Sequence, residues 1–281
     1  MLSVTQIPER YRNIIDEQIK IFDQQRSVQV KNKIPDTADI PIESPNHWLR
    51  IPDVICVFVD MKGSTQLSAS THDKSTAGAY QLFVGTAVKL FNEFEAPYID
   101  VRGDGIFALF NSDAPYRAIA AAVSFKTFSR EEFTPKIKEL TDLGIGAHIG
   151  IDQKTVLVRK IGFKKYGGRT DRQNEVWAGK PVNMAAKLSS LATQDELVVS
   201  DRYFNNIRHE SVLKTCGCVD GQPGREKVDL WTEIDVSDDP KYDFQKAHKL
   251  SSYWCLNHGR EYCEAILKLD EDKSKSAVPI F

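Results

Sequence analysis

The sequence of 281 residues lacks a long hydrophobic run and lacks an excess of charge of either sign. Its longest apolar stretch, residues 54–59, is far shorter than the roughly 20 apolar residues that a helix needs to span a bilayer. The 37 basic and 39 acidic residues leave a net charge of −2, whereas nucleic-acid-binding proteins usually carry a basic excess on one face. We therefore expect no membrane and no nucleic-acid partner. An enzyme that handles a polyphosphate fits this composition, because it needs only local basic groups.

Cysteine is also scarce. The five cysteines are Cys56, Cys216, Cys218, Cys255 and Cys263. The first ten residues lack the basic and then apolar pattern of a secretory signal. An odd number of cysteines in a chain without an export signal is typical of reduced thiols rather than of a disulfide framework. We therefore expect a cytoplasmic protein.

Helix and strand patterns divide the chain into three segments. Residues 1–51 begin with a helical pattern of isoleucines and continue as an extended lead-in that contains three prolines. Residues 52–235 follow the order β-α-β-β-α-β with additional strands, including a pair predicted at residues 143–151 and 155–161. Residues 236–281 form a polar linker and a helix. We predict an α+β, ferredoxin-like domain with an antiparallel sheet and helices, flanked by N-terminal and C-terminal helical extensions.

Two aspartates fall where neighbouring strands meet turns. Asp60 ends the apolar strand at residues 54–59, and Asp104 lies in a Gly-Asp-Gly turn, which is a strong hairpin signal. In a β-α-β-β arrangement the two carboxylates can converge, and they would repel each other unless a cation lay between them. Mg²⁺ or Mn²⁺ is the natural occupant of such a site. On the pattern alone, an N-cap at Asp60 and an ordinary hairpin turn at Asp104 remain alternatives.

Two further features are candidates for binding a substrate. Gly63, Ser64 and Thr65 form a turn just before a helix, where backbone N–H groups suit phosphate oxygens. Asn183 and Lys187 are four residues apart on a predicted helix at residues 180–192, so they share one face. A solvated helix face is the alternative interpretation of the second pair.

Four blocks of sequence, in this order and spacing, resemble the signature blocks of class III adenylate and guanylate cyclases. The blocks are residues 58–65, 102–105, 145–150 and 177–188. The resemblance implies the class III cyclase catalytic domain and a head-to-tail homodimer with two composite active sites, which agrees with the closed symmetry of most oligomers. The aspartates of each site would come from one subunit, and Asn183 and Lys187 from the other.

The same resemblance implies residue roles. Asp60, Asp104 and the Met61 carbonyl would hold two divalent ions, Mn²⁺ or Mg²⁺, at each site. The ribose 3′-hydroxyl would attack the α-phosphorus of a nucleoside triphosphate and release pyrophosphate. Asn183 would orient the ribose and Lys187 would stabilise the transition state. The residues predicted to bind substrate around them are Phe58, Lys62, Gly63, Ser64, Thr65, Asp100, Arg102 and Val176.

The sequence departs from the family pattern at three of these positions. Lys187 stands where the family usually has arginine. Lysine keeps the positive charge but lacks the planar guanidinium, which can donate two parallel hydrogen bonds. Asp100 and Val176 stand where adenylate cyclases have the residues that select a purine, and a site without matched donors and acceptors discriminates poorly. Arg102 lies between Asp100 and Asp104 and could bind the carbonyl oxygens of a smaller base or a phosphate. An ion pair with Asp100 is the alternative.

With these departures, the chain resembles the bacterial Pycsar pyrimidine cyclases. The resemblance includes the lead-in at residues 39–42 and 48–52 and the blocks at residues 57–65 and 177–187. Members of that branch make cyclic UMP or cyclic CMP when phage infection is sensed, and the nucleotide activates a separate effector. The resemblance implies a cyclase that converts UTP to 3′,5′-cyclic UMP for antiphage defence. A cytidylate cyclase, a purine cyclase and a catalytically dead nucleotide-binding module remain alternatives.

Two other groups of residues are candidates for binding. The basic, glycine-containing segment 163–172 could close over the triphosphate, with a solvated loop as the alternative. Cysteines and histidines near the C-terminus could bind zinc. However, a helix predicted over residues 244–269 would separate Cys255 from Cys263 by more than two turns, which favours free thiols.

Overall fold

The computed structural model describes residues 6–169, 171–219, 222–224 and 226–276. The chain forms two compact units. The smaller unit contains residues 1–51 and 157–178, and the larger unit contains residues 52–156 and 179–281. No helix in the described part of the chain is long and apolar enough to cross a membrane.

Nine strands and nine helices are named below from the described residues. The strands are β1 (Ser27–Val30), β2 (His47–Lys62), β3 (Tyr98–Arg102), β4 (Gly105–Phe110), β5 (Gly146–Gly162), β6 (Gln173–Gly179), β7 (Glu196–Ser200), β8 (Trp231–Asp235) and β9 (Lys246–Leu250). The helices are α1 (Glu9–Asp23), α2 (Ser64–Ser70), α3 (Asp73–Glu93), α4 (Pro115–Phe128), α5 (Thr134–Thr141), α6 (Lys180–Leu191), α7 (Asp201–Phe204), α8 (Glu210–Leu213) and α9 (Gly259–Ser276).

The larger unit is built on a mixed sheet with the strand order β3-β4-β2-β5-β7-β9-β8. The pairs β3–β4, β2–β4, β7–β9 and β8–β9 are antiparallel, whereas β5 and β7 pair in parallel. The register sets Val59 of β2 opposite Ile106 of β4, and Arg102 of β3 opposite Gly105 of β4. The carboxyl end of β2 therefore lies beside the turn between β3 and β4.

Side chains alternate between the two faces of this sheet, and each face is covered by helices. On one face, Val59 belongs to a large core with aromatic residues of α3 and α4, in which the Phe83 and Phe125 rings lie 5.1 Å apart. On the other face α6 packs against β5. A side chain at Gly150 would collide with the Ala185 carbonyl of α6, so glycine at this position permits the close approach of helix and sheet.

The central strand β5 differs from the sequence prediction. It is one continuous strand of 17 residues, so the prediction of two strands at residues 143–151 and 155–161 was wrong. Asp152 lies between the two predicted strands, is fully buried, and accepts a hydrogen bond from the Arg202 guanidinium at 2.7 Å. The ion pair allows the charged side chain to be buried. The strand can therefore continue through this polar stretch.

The C-terminal segment also differs from the prediction, because the helix begins at Gly259 rather than near residue 244. Residues Lys246–Leu250 form β9 instead, which pairs with both β7 and β8. Pairing with a strand on each side outweighs local helical preference here. Farther along α9, the Asp270 carboxylate accepts a hydrogen bond at 3.1 Å from the backbone N–H of Tyr116, in the first turn of α4. The contact caps α4 from another element and ties α9 to the core.

In the smaller unit, Arg159 holds the proline-containing lead-in. Its guanidinium donates hydrogen bonds to the carbonyl oxygens of Ser44 and Ile42, both at 3.2 Å, and lies 5.7 Å from the centre of the Trp48 ring. β1 pairs in parallel with the first residues of β2. The predicted N-terminal helix is present as α1, none of whose residues is buried.

Candidate active site

Asp60 lies at the carboxyl end of β2, on the sheet face that α6 covers in part. Its strand neighbour is Gly105 of β4, the first residue after the β3–β4 turn. A Cβ atom added at Gly105 would lie 3.6 Å from Asp60 Oδ1 and 3.2 Å from the Phe58 ring. Glycine at this position therefore keeps a side chain out of the space next to Asp60. Asp104, the residue before Gly105, is half-buried in the turn between β3 and β4.

His148 of β5 contacts the other oxygen of the same carboxylate. Its Nε2 lies 3.0 Å from Asp60 Oδ2, and its Nδ1 lies 2.7 Å from the Ser189 carbonyl oxygen of α6. Nδ1 donates to the carbonyl oxygen, which only accepts hydrogen bonds, and a proton between Nε2 and Asp60 Oδ2 joins the second contact. The imidazole is mostly buried and fixed at both nitrogens, and it therefore fixes the direction of the Asp60 carboxylate.

The sequence analysis did not assign a role to His148. The residue belongs to the block at residues 145–150, where it alternates with the buried Ala147 and Ile149. This alternation places His148 on the face opposite the main core. That signal indicates its face, but only the pairing of β2 with β5 shows that it meets Asp60.

Arg102 of β3, Asp60 of β2 and His148 of β5 therefore lie in one row across the sheet. Gly105 of β4 lies in the same row, between Arg102 and Asp60. One row away, Asp100 lies opposite Phe107, which in turn lies opposite Phe58. Arg102 Nε lies 3.0 Å from Asp100 Oδ2, so the predicted alternative of an ion pair between these residues is confirmed. More than half of the Arg102 side chain is exposed, and its terminal nitrogens point beyond this pair.

The predicted phosphate-binding turn follows β2 directly. Gly63 has a φ of 90°, in the left-handed region that glycine adopts without strain, and it begins α2. Ser64 and Thr65 form the first turn of that short helix. Lys62 is exposed, and its Nζ lies 3.5 Å from the Ala192 carbonyl oxygen. The Met61 side chain is buried in the core, which leaves its backbone carbonyl as the only group that it offers the site.

Asn183 and Lys187 do not join this cluster within the chain. Asn183 is exposed on α6. It precedes Ser189, the partner of His148, by six residues, which is about 9 Å along a helix. Lys187 Nζ donates a hydrogen bond to the Lys241 carbonyl oxygen at 2.9 Å. The two residues share a face of α6, as predicted, but the chain places them away from Asp60.

The segment that holds Lys187 is anchored by ion pairs. Asp243 accepts hydrogen bonds from Lys180 at 2.7 Å, Arg202 at 2.9 Å and Lys154 at 3.2 Å. Burial alone would raise the pKa of the Asp243 carboxyl, but the bond from Lys180 and the charge of Arg202 outweigh it and hold that pKa well below its usual range. Residue 241 is therefore kept beside α6 at neutral pH.

The remaining predicted site residues lie in the smaller unit. Val176 is half-buried on β6. In the described part of segment 163–172, basic side chains pair with acidic ones: Lys164 Nζ lies 2.6 Å from Glu43 Oε1, and Arg169 Nε lies 2.9 Å from Asp171 Oδ1. These are exposed pairs, which contribute little to stability.

The chain is similar to known cyclases. It is 36% identical over 247 residues to a uridylate cyclase of Propioniciclava tarda, an alignment that covers 85% of this chain and 77% of the relative. It is 27% identical over 189 residues to a cytidylate cyclase of Escherichia coli, covering 63% of this chain and 40% of the relative. The crystal structure of the guanylyl cyclase Cya2 superposes with a TM-score of 0.56 at 18% identity, covering 73% of this chain and 93% of that one. No protein-family profile matches the chain.

The mixed sheet with helices on both faces is the fold of the class III cyclase catalytic domain, and the predicted fold is confirmed. The sheet is mixed rather than antiparallel as predicted, because β5 and β7 pair in parallel. The protein is a class III nucleotidyl cyclase. Within this class, the chain belongs to the family of bacterial pyrimidine cyclases, whose members include uridylate and cytidylate cyclases.

Proposed function

We propose that the protein converts UTP to 3′,5′-cyclic UMP and pyrophosphate. The observation that carries the proposal is the Asp60 carboxylate, contacted by His148 at one oxygen and next to Gly105, which has no side chain, at the other. In a cyclase of this family, an oriented carboxylate beside a second one at Asp104 is suited to a polyphosphate substrate with its counter-ions.

The oxygen donors at this place fit divalent cations. Asp60 and Asp104 supply carboxylates and Met61 supplies a carbonyl, and hard cations such as Mg²⁺ and Mn²⁺ prefer these ligands. A side chain at position 105 would lie against Asp60 Oδ1, and glycine there leaves that oxygen uncovered on this side. We therefore assign these three residues as the ligands of two ions. Such ions lower the pKa of a bound hydroxyl and neutralise phosphate charge.

The other residues act on the substrate directly. Asn183 of the second subunit would hold the ribose, so that its 3′-oxygen lies in line with the α-phosphorus and pyrophosphate leaves on the opposite side. Lys187 of the same subunit would donate hydrogen bonds to the oxygens of the α-phosphate as their charge changes. To reach them, Lys187 must leave the Lys241 carbonyl. A hydrogen bond from a charged group contributes about 1.5–3 kcal/mol net. The charged phosphate oxygens are stronger acceptors than a carbonyl and offset this cost.

The polar pair Asp100 and Arg102 supports a pyrimidine base. The pair uses Arg102 Nε and Asp100 Oδ2, while Asp100 Oδ1 accepts a hydrogen bond from the Val101 backbone N–H. Two terminal nitrogens of Arg102 remain as donors. Uracil offers carbonyl oxygens to such donors, whereas cytosine presents an amino group at one of these positions. The donor set therefore favours UTP over CTP.

The substrate is tested by one incubation. Purified protein is mixed with Mn²⁺ and with ATP, GTP, CTP or UTP, and the products are identified by mass spectrometry. We expect cyclic UMP as the main product. Cyclic CMP as the main product would establish the cytidylate alternative, and cyclic AMP or GMP alone would contradict a pyrimidine pocket. Binding of nucleotide without any product would instead identify a regulatory module.

We also infer that the cyclic nucleotide is a second messenger for antiphage defence. The support is the family resemblance of the lead-in and the signature blocks, rather than any contact in the chain. The nucleotide would pass to a separate effector that forms no stable complex with the cyclase. The relevant measurement is the cyclic UMP content of infected cells that carry the wild-type or the Asp104→Asn chain.

The contact from His148 predicts a positioning role with a distinctive signature. Replacing His148 by alanine frees one oxygen of Asp60, and loss of a group that orients a metal ligand typically costs about 10–100-fold in activity or metal affinity. We expect activity to fall within that range and the Mn²⁺ concentration for half-maximal activity to rise. His148→Gln should recover part of the loss, because its amide can donate a hydrogen bond to Asp60.

The matched control is His72→Ala, at an exposed histidine that precedes α3. It should leave both the activity and the Mn²⁺ dependence unchanged. A His148→Ala protein with wild-type activity at low Mn²⁺ concentration would refute the positioning role.

A further inference from the structure

Three cysteines and a histidine converge at a place that the cyclase site does not use. One ligand atom from each of Cys216, Cys218, Cys255 and His258 lies within 4.8 Å of all the others, and all four residues are half-buried. The first two lie in the loop between α8 and β8, and the other two in the turn just before α9. Residues some 40 positions apart in the sequence are thus brought to one point.

The separations match the edges of a metal-centred tetrahedron. His258 Nδ1 lies 3.3 Å from Cys218 Sγ and 3.9 Å from Cys255 Sγ. Zinc binds sulfur at about 2.3 Å and nitrogen at about 2.0 Å, so neighbouring ligands of a tetrahedral site lie roughly 3.5–3.8 Å apart. One ion at the centre of the cluster would reach all four atoms with small adjustments of the side chains.

The backbone on both sides is shaped to present these ligands. Gly217, between the two loop cysteines, has a φ of 85°, which glycine adopts without strain. Its N–H donates a hydrogen bond to Thr215 Oγ1 at 3.0 Å. On the other side, the Gly259 N–H donates to the Cys255 carbonyl at 2.7 Å, which closes the turn that carries Cys255 and His258. Both pairs are therefore held on tight turns.

The surroundings of Cys255 suit a metal ligand. The backbone N–H groups of Asn257 and His258 and the His258 side chain face its sulfur. Cysteine binds a metal ion as the thiolate.

We propose that Cys216, Cys218, Cys255 and His258 bind one Zn²⁺ ion in a closed structural site. Sulfur and imidazole ligands select zinc over the hard cations of the cyclase reaction. Four protein ligands leave no open position for substrate, which is typical of a structural site rather than a catalytic one. The ion would fasten the loop between α8 and β8 to the start of α9.

Nearby candidates are excluded by their own contacts. His248 stacks on the Phe204 ring at 3.8 Å, and its Nε2 lies 2.9 Å from Asp201 Oδ1. Cys263 is on α9, packed against the core, and Cys56 is fully buried in β2. The helix predicted to begin near residue 244 was expected to keep Cys255 and Cys263 apart, which favoured free thiols. In the structure Cys255 and His258 precede α9, and the remaining ligands come from the distant loop.

The metal content of the purified full-length chain tests this proposal. The protein is produced with a tag that contains no histidine, purified under reducing conditions without chelator, and analysed by inductively coupled plasma mass spectrometry. We expect about one zinc per chain, as a four-ligand site requires. Cys216→Ser and His258→Ala should lose most of it, and the control Cys263→Ser should keep it. Asp60→Asn should also keep it, which separates this site from the cyclase centre.

A second measurement avoids variants that fail to fold. The wild-type chain is stripped of metal under reducing conditions and titrated with Co²⁺, whose visible absorption reports tetrahedral geometry and whose near-ultraviolet bands report thiolate ligands. Both signals should appear and should vanish when zinc is added. Absence of zinc in the purified protein together with absence of these bands would overturn the proposal. Mass-spectrometric detection of a disulfide within the cluster, without bound metal, would overturn it as well.

Discussion

Replacing either Asp60 or Asp104 by asparagine is expected to lower cyclase activity by about a hundredfold or more, the scale found when a single charge-stabilising group is removed from an active site. Asparagine keeps the size of the side chain but removes the negative charge that holds a divalent cation. At position 60 the amide can still form a hydrogen bond with His148 Nε2, through either its oxygen or its nitrogen. The variant therefore removes charge while it preserves the contact between β2 and β5.

A measurement of folding and binding accompanies the activity assay. Mn²⁺ with a non-hydrolysable UTP analogue should raise the melting temperature of the wild-type protein and leave that of the two variants nearly unchanged, since a ligand stabilises only the state that binds it. The control is Asp142→Asn, at an exposed residue with a φ of 58° that closes α5, a conformation that asparagine tolerates. Full activity of Asp60→Asn or Asp104→Asn would refute the metal assignment.

The sequence indicated both aspartates because their signals are local. Asp60 follows an apolar run and Asp104 sits in a glycine-flanked hairpin turn, and each pattern depends on a few adjacent residues. The antiparallel register of β2 with β4 places the end of β2 beside the turn between β3 and β4, as the predicted strand order requires. The proximity of these two positions could be predicted because strand order and turn position define it, whereas their role as metal ligands is our proposal.

The other contacts depend on tertiary packing that local patterns do not encode. His148 meets Asp60 only because β5 is a neighbour of β2 and because Gly150 admits α6 close to the sheet. The Cys/His cluster joins a loop near residue 217 to the turn before α9, and a helical pattern through Cys255 concealed it. In both cases the partner residues lay too far apart along the chain to be identified from local patterns.

The position of Lys187 leads to the second large prediction. Within one chain its ammonium contacts the Lys241 carbonyl, and Asn183 lies exposed on the same face of α6. Lys187 contacts the segment after β8 and not Asp60, and we propose that both residues serve the site of a second subunit. In a head-to-tail homodimer each site would combine Asp60 and Asp104 of one subunit with Asn183 and Lys187 of the other. Such a dimer would carry two equivalent sites.

Subunits with defects in opposite halves are therefore expected to complement each other. Asp104→Asn and Lys187→Met should each be nearly inactive as homodimers, with losses of about 10²–10³-fold for removal of one transition-state donor. The two chains are co-expressed with different tags, and the heterodimer is isolated by two affinity steps. One of its sites carries both substitutions and the other carries none, so we expect about half of the wild-type activity per dimer.

The control pairs two defects in the same half of the site. A heterodimer of Asp60→Asn with Asp104→Asn contains no site with both aspartates, so it should stay as inactive as either parent. Recovery in that control would show that the two aspartates of a site come from different subunits. Absence of recovery in the Asp104→Asn and Lys187→Met heterodimer would instead show that each site is built within a single chain. Lys187 would then have to leave Lys241 and reach across α6 to the phosphates beside its own Asp60. The six residues that separate Asn183 from Ser189 on the same helix make that route long for Asn183, which is why the composite arrangement is the one we expect.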